Sequence, residues 1–131
     1  MKKQVVIVLA CAGMLAPDMA ARAFELGFDW GNIPRCTSGT PNRVASPTFT
    51  VSGLPAGTAA IKFKLSDQDV PGFDHGGGTA PYAGGATVAS GAFRYLSPCP
   101  PNGRHTYSWS ATAVDASGKR LDTGKASKQY P

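Results

Sequence analysis

Two short polar segments of this sequence contain the side chains best suited to bind a small molecule. Each segment holds one of the two histidines of the chain. Residues 67–75 include Asp67, Asp69, Pro71 and His75. An imidazole can donate hydrogen bonds to a phosphate or carboxylate oxygen, and a neighbouring aspartate can orient its ring. The chemistry predicted from this segment is therefore recognition of a small anion.

Residues 97–107 form the second segment, which reads Ser-Pro-Cys-Pro-Pro-Asn-Gly-Arg-His-Thr-Tyr. It supplies Pro100, Pro101, His105 and Tyr107. Because proline fixes φ and removes a backbone donor, its three prolines predict a stiff, exposed loop in front of an aromatic strand. His105 and Tyr107 are two residues apart and would share one face of that strand. If the strand ends near both segments adjoin, their side chains surround one cavity.

The pattern along the rest of the chain favours β-strands. Apolar residues alternate with polar ones at 49–51, 61–65 and 107–113, while 93–95 and 121–128 are further candidates. Residues 115–118 read as the tight turn of a hairpin between the last two strands. No sustained helical stripe follows residue 23, so we predict an all-β fold with little helix: an antiparallel, Greek-key-type β-sandwich. Residues 72–91 contain seven glycines and predict a long glycine-rich loop.

The two segments together resemble the phosphatidylethanolamine-binding protein family, also called Raf kinase inhibitor-like proteins. Its members carry an Asp-Pro-Asp-Ala-Pro element followed by a His, and later a Pro-Pro-x-Gly-x-His-x-Tyr element. This chain has Asp-Gln-Asp-Val-Pro at 67–71 and Pro-Pro-Asn-Gly-Arg-His-Thr-Tyr at 100–107. Arg-Cys-Thr-Ser-Gly at 35–39 and Ser-Pro-Thr-Phe-Thr-Val at 46–51 also resemble family elements. The family's Trp after its first His is replaced here by Gly76.

The resemblance implies a pocket for phosphate, acetate or a phospholipid head group. By their match to the family motifs, the residues it assigns to that pocket are Asp67, Pro71, His75, Pro100, Pro101, His105 and Tyr107. Three of these residues have a structural alternative. Asp67 and Asp69 could cap a turn before the proline, His105 could be a surface residue, and Tyr107 could belong to the core.

The beginning of the chain predicts export. Two lysines precede an apolar run at 5–14, and Ala-Arg-Ala at 21–23 matches a signal-peptide cleavage site. We therefore expect a signal peptide at 1–23, a single domain at 24–131, and a periplasmic or secreted protein without a transmembrane span. A rival hypothesis makes Cys11 a lipid-acylation site.

Export leaves two cysteines in the mature chain, Cys36 and Cys99. In an oxidising compartment they are most simply interpreted as one disulfide, and the alternative is two buried free thiols. The net charge of +5 is spread along the chain, without the dense basic stripe of a nucleic-acid-binding protein. We predict no nucleic-acid partner.

Binding is favoured over catalysis, because no nucleophile stands in a recognised setting such as a Gly-x-Ser-x-Gly elbow. The carboxylates and imidazoles are of types that bind transition metals, but nothing in their spacing demands a metal. We predict no metal and no cofactor. The alternative function comes from residues 106–118, which also resemble a strand and turn of a fibronectin type III or immunoglobulin-like module. Such a structural or adhesive module would have no ligand pocket.

Overall fold

The computed structural model describes residues 24–131, so the predicted signal peptide and Cys11 lie outside the described residues. Within 24–131 the chain forms nine strands and no helix, and hence no helix that could cross a membrane. The strands are β1 (Glu25–Phe28), β2 (Arg43–Ala45), β3 (Phe49–Ser52), β4 (Ala60–Asp67), β5 (Asp74–Pro81), β6 (Thr87–Val88), β7 (Arg94–Leu96), β8 (His105–Val114) and β9 (Arg120–Tyr130).

The strands pair in three antiparallel groups. A four-stranded sheet has the order β5-β4-β8-β9, a three-stranded sheet the order β1-β3-β6, and β2 pairs with β7 alone. The predicted all-β class and antiparallel pairing are confirmed. The predicted hairpin turn is also present: the amide of Gly118 donates to the carbonyl of Asp115, and the turn joins β8 to β9.

The core lies on one face of the four-stranded sheet. Ile61, Phe63 and Leu65 are buried, whereas the two lysines between them are exposed, as the two-residue period predicts. Aromatic contacts join this face to the smaller groups of strands: Phe49 of β3 stacks on Phe63 at 4.2 Å between ring centroids, and Tyr95 of β7 meets Trp109 of β8 edge-on at 4.9 Å.

The prediction of a long loop at 72–91 was wrong. Residues 74–81 form β5, the edge strand of the four-stranded sheet, and residues 87–88 form β6. Gly77 and Gly78 are paired with Lys64 and Phe63 of β4. A side chain on Gly78 would overlap the ring of Phe93, with a Cβ only 2.6 Å from its Cγ. These glycines therefore permit the close packing of β5 against β4 and Phe93.

Substituting Gly77 by alanine should destabilise the fold. A Cβ at this position would overlap the backbone carbonyl of Phe63 on the neighbouring strand, and a backbone atom cannot move aside as a side chain can. We expect Gly77→Ala to lower the free energy of unfolding by about 2 kcal/mol, measured by urea denaturation. Gly72→Ala is the matched control, because its Cβ would meet nothing within 4 Å. Equal stabilities of the two variants would contradict this account of β5.

Candidate functional site

Three strands begin or terminate at the same end of the four-stranded sheet. β4 ends at Asp67, β8 begins at His105 and β5 begins at Asp74. Because β4 is antiparallel to both neighbours, its last residues lie beside the first residues of β5 and β8. A cavity of about 210 Å³ lies at this end of the sheet. It is lined by Gly39, Pro41, Asp67, Val70, Phe73, His75, Cys99, Pro100, Pro101, His105 and Tyr107.

The central contact of the cavity is a hydrogen bond between His105 and Asp67. The distance from Nδ1 of the imidazole to Oδ2 of the carboxylate is 2.7 Å. The two side chains are 14% and 6% exposed, so the pair is largely shielded from solvent. A carboxylate can only accept here, so the proton of this bond is on Nδ1.

Asp67 also fixes the backbone that follows β4. Its second oxygen, Oδ1, accepts hydrogen bonds from the amides of Asp69 (2.9 Å) and Val70 (3.2 Å). Asp69 in turn accepts from the amide of Thr106, which links this segment to the start of β8. The two roles considered for Asp67, capping a turn and orienting a histidine, are thus performed together by different oxygens.

The protonation state of Asp67 follows from these contacts. Burial raises the pKa of its carboxyl group, but the hydrogen bond from His105 and those from the two backbone amides lower it by more. The net effect is a pKa below the ordinary value of an aspartate. Asp67 is therefore a carboxylate at neutral pH.

His75 lies on the other side of the cavity and is 3% exposed. Its Nδ1 is 2.8 Å from the carbonyl oxygen of Leu96, the last residue of β7. A carbonyl can only accept, so Nδ1 carries the proton here as well. The ring packs between Phe73, at 4.5 Å between centroids, and the edge-on ring of Tyr107, at 5.4 Å.

The two histidines therefore present the same atom to a ligand. In each ring Nδ1 is used by the protein, so Nε2 is the nitrogen left to interact with a molecule in the cavity. In a neutral ring protonated on Nδ1, Nε2 is an acceptor, and it becomes a donor only when the ring is an imidazolium.

Tyr107 lies between the two histidines in the lining of the cavity. It is 1% exposed and pairs with Asp67 across β4 and β8. Burial, together with the nearby Asp67 carboxylate, raises the pKa of its phenol well above the ordinary value. Tyr107 is consequently an uncharged hydroxyl group, and it belongs both to the core cluster and to the cavity wall.

The proline loop and a disulfide form the remaining wall. The predicted bond between Cys36 and Cys99 is present, with the two Cα atoms 4.6 Å apart. The amide of Gly39 donates to the carbonyl of Cys99 at 3.1 Å, and the amide of Cys36 donates to the hydroxyl of Tyr130 at 3.0 Å. The loop is thereby attached to the segment before β2, and that segment is in turn attached to the end of β9.

The structure brings together all but one of the side chains that the sequence singled out. Asp67, His75, Pro100, Pro101, His105 and Tyr107 line the cavity. Pro71 does not; it is exposed in the turn between β4 and β5, and its neighbours Val70 and Phe73 line the cavity instead. Sequence reasoning missed these two residues, although a Phe two residues before the histidine in an otherwise polar segment was a usable signal.

Asp67, Asp69 and His105 also form a cluster of possible metal ligands, with one donor atom of each lying within 4.8 Å of the others. Both oxygens of Asp67 and one oxygen of Asp69 already accept hydrogen bonds from the protein. The cluster is thus held together by the chain's own donors.

Comparison with known proteins identifies the fold. The chain is similar to the crystal structure of CT736 from Chlamydia trachomatis, described as a putative phosphatidylethanolamine-binding protein (PEBP) homologue, with a TM-score of 0.54 and 18% identity over 83% of this chain and 97% of that one. It is also similar to YbcL from E. coli, described as a new member of the mammalian PEBP family, with a TM-score of 0.57 and 17% identity over 82% and 97% of the two chains. No protein-family model matches the sequence, and no curated protein matches it significantly.

Proposed function

We propose that this protein, which has the fold of the phosphatidylethanolamine-binding proteins, is an exported member of that family that binds a small anion without transforming it. The anion would be a phosphate, a carboxylate or a phospholipid head group. The observation that carries the proposal is the hydrogen bond between Asp67 and His105 at the wall of a cavity.

The geometry supports an anion because three groups that are able to donate a hydrogen bond line the same cavity, the two imidazoles doing so when they are protonated. Nε2 of His105 and Nε2 of His75 are the ring nitrogens left for a ligand, and the neutral hydroxyl of Tyr107 lines the same cavity. An imidazolium at His105 would be stabilised on one side by the Asp67 carboxylate and on the other by the bound anion. The imidazolium of His105 would thus donate one hydrogen bond to the Asp67 carboxylate from Nδ1 and another to the ligand from Nε2.

The absence of catalysis is part of the proposal. Cys99, the cysteine that lines the cavity, is bonded to Cys36 and cannot act as a thiolate. The disulfide also agrees with an oxidising compartment, which supports export.

The alternative, an adhesive module of the fibronectin or immunoglobulin type, has less support. Such a module would leave the carboxylate of Asp67 and the ring of His105 apart on an ordinary surface. Their 2.7 Å contact beside a concavity is the arrangement that the binding hypothesis requires.

Titration with inorganic phosphate or acetate tests the proposal directly. The chain has two histidines, so their ring signals can be followed individually by NMR. We expect both anions to shift the signals of His105, and we expect His105→Ala to weaken binding by at least about tenfold through loss of a charge-assisted hydrogen bond. Lys125→Ala is the control, because it removes an exposed positive charge on β9, outside the cavity. Unmoved histidine signals, or equal losses in both variants, would count against the site.

A further inference from the structure

The proline loop (residues 97–104) carries an Asn-Gly pair at its exposed end. Asn102 and Gly103 precede the first strand residue, His105, and both are exposed to solvent. Gly103 has a φ of 80°, a left-handed conformation that favours glycine, and a Cβ built on it would meet nothing within 4 Å. Its amide donates to no backbone carbonyl among residues 24–131. The peptide between the two residues is therefore both accessible and unrestrained.

An exposed Asn-Gly peptide can cyclise and lose ammonia, a reaction that makes asparagine a thermolabile residue. The Gly103 nitrogen, after base removes its proton, forms a bond to the side-chain carbonyl carbon of Asn102, and the bond from that carbon to the side-chain nitrogen breaks to release ammonia. Water then opens the cyclic imide at either carbonyl, which gives aspartate or isoaspartate. The net change replaces NH by O and adds a negative charge when the new acid ionises. Because glycine has no Cβ, no side chain on the attacking residue hinders the first step.

The other two asparagines of the chain lack these features. Asn32 is followed by Ile33, whose branched side chain stands beside the attacking nitrogen and whose amide donates to the carbonyl of Gly31 at 3.1 Å. Asn42 is followed by Arg43, the first residue of β2, whose backbone is paired with β7. All three asparagines are exposed, so the difference between them lies in the residue that follows. The same molecule thus supplies two internal controls.

A negative charge at position 102 would lie close to the candidate site. Three residues span at most about 11 Å, so the Cα atoms of Asn102 and His105 are no farther apart than this. Arg104 is an exposed cation in the same loop, and a carboxylate two residues away would offset its charge. Two negative charges about 10 Å apart in water repel each other enough to weaken binding about twofold at low ionic strength, and salt screens the effect.

We infer that Asn102 is a site of spontaneous deamidation and, resting on the proposed function, that the carboxylate formed there weakens the binding of an anion at His105. The only co-reactant is water, which surrounds the exposed loop. Hydrolysis with loss of ammonia is not reversed under these conditions, so the modified fraction grows as the protein ages. The loop is in this way a slow, chemical means of lowering the affinity of the neighbouring site.

Peptide mapping by mass spectrometry after incubation in mildly alkaline and mildly acidic buffers tests the modification. We expect progressive loss of the intact Asn102 peptide, faster in alkali because base removes the amide proton, while the Asn32 and Asn42 peptides stay intact. Isoaspartate should be found among the products, since direct hydrolysis of the side chain gives aspartate alone. A sample digested without incubation controls for deamidation during digestion. An intact Asn102 peptide, similar loss at all three asparagines, or aspartate without isoaspartate would overturn the inference.

Titration of an Asn102→Asp variant with inorganic phosphate tests the effect on binding. We expect an affinity about twofold lower than that of the unmodified protein at low ionic strength, with the difference lost at high salt. Asn32→Asp is the matched control, because it adds the same charge at a residue that does not line the cavity. Equal affinities of the two variants would refute the effect and leave the proposed function standing. If phosphate binds to none of the three proteins, the proposed function and the effect on binding both fail, and the mass measurements alone decide whether Asn102 is modified.

Discussion

Removing the disulfide with a Cys36→Ala/Cys99→Ala double substitution is expected to lower the free energy of unfolding by about 4 kcal/mol. The bond closes a loop with a sequence separation of 63 residues, and a crosslink over such a distance strongly restricts the unfolded chain. This loss would be a large fraction of the stability of a small domain. Urea denaturation of the oxidised protein and of the double variant measures it.

Reduction of the unmodified protein is the matched control for that experiment. It breaks the same bond but keeps both cysteine side chains, so it separates loss of the crosslink from loss of packing at two buried positions. The native, unreduced protein should show no free thiol by mass after alkylation. Two alkylated cysteines in native protein, or a stability unchanged by reduction, would contradict a structural role for the bond.

The parts of the fold that the sequence predicted are those where side chains alternate. β4 and β8 have apolar residues at every second position, because one face of their sheet packs on the core and the other meets solvent. β5 lacks such a pattern: its glycines have no side chains, and its pairing depends on the close approach of Phe63 and Phe93. A strand whose position is determined by its neighbours' backbone and rings cannot be recognised from its own residues.

The candidate site also contains residues that could be placed from the sequence and residues that could not. Asp67 and His105 could be placed together because each stands at a strand end, and the family motifs indicated which ends meet. Val70 and Phe73 could not be placed in the site from the sequence, because their exposure depends on how the turn after β4 closes. Pro71, in that same turn, was assigned to the cavity from the motif but does not line it. Turn geometry, and not residue type, decides that Val70 and Phe73 line the cavity and that Pro71 does not.

Asp67→Asn is expected to destabilise the protein by about 3 kcal/mol at neutral pH, because the hydrogen bonds of a largely buried carboxylate are replaced by weaker ones. The pKa of Asp67 is lowered by folding, so its contribution to stability is fully present above the ordinary pKa of an aspartate. It is lost as the pH falls through the lower pKa of the folded state. The stabilities of Asp67→Asn and of the unmodified protein should therefore converge in acid, as measured by urea denaturation across that range. Asp29→Asn removes an exposed carboxylate outside the cavity and is the control.

The same substitution should change which nitrogen of His105 carries the proton of the neutral ring. In the unmodified protein Nδ1 donates to the Asp67 carboxylate, which leaves Nε2 as an acceptor. An asparagine can donate its amide proton to Nδ1, which moves the proton of the neutral ring to Nε2 and makes it a donor without charge. Nitrogen NMR of the imidazole should therefore show Nδ1 protonated in the unmodified protein and Nε2 protonated in Asp67→Asn. The same tautomer in both proteins would mean that Asp67 does not determine which nitrogen of His105 carries the proton.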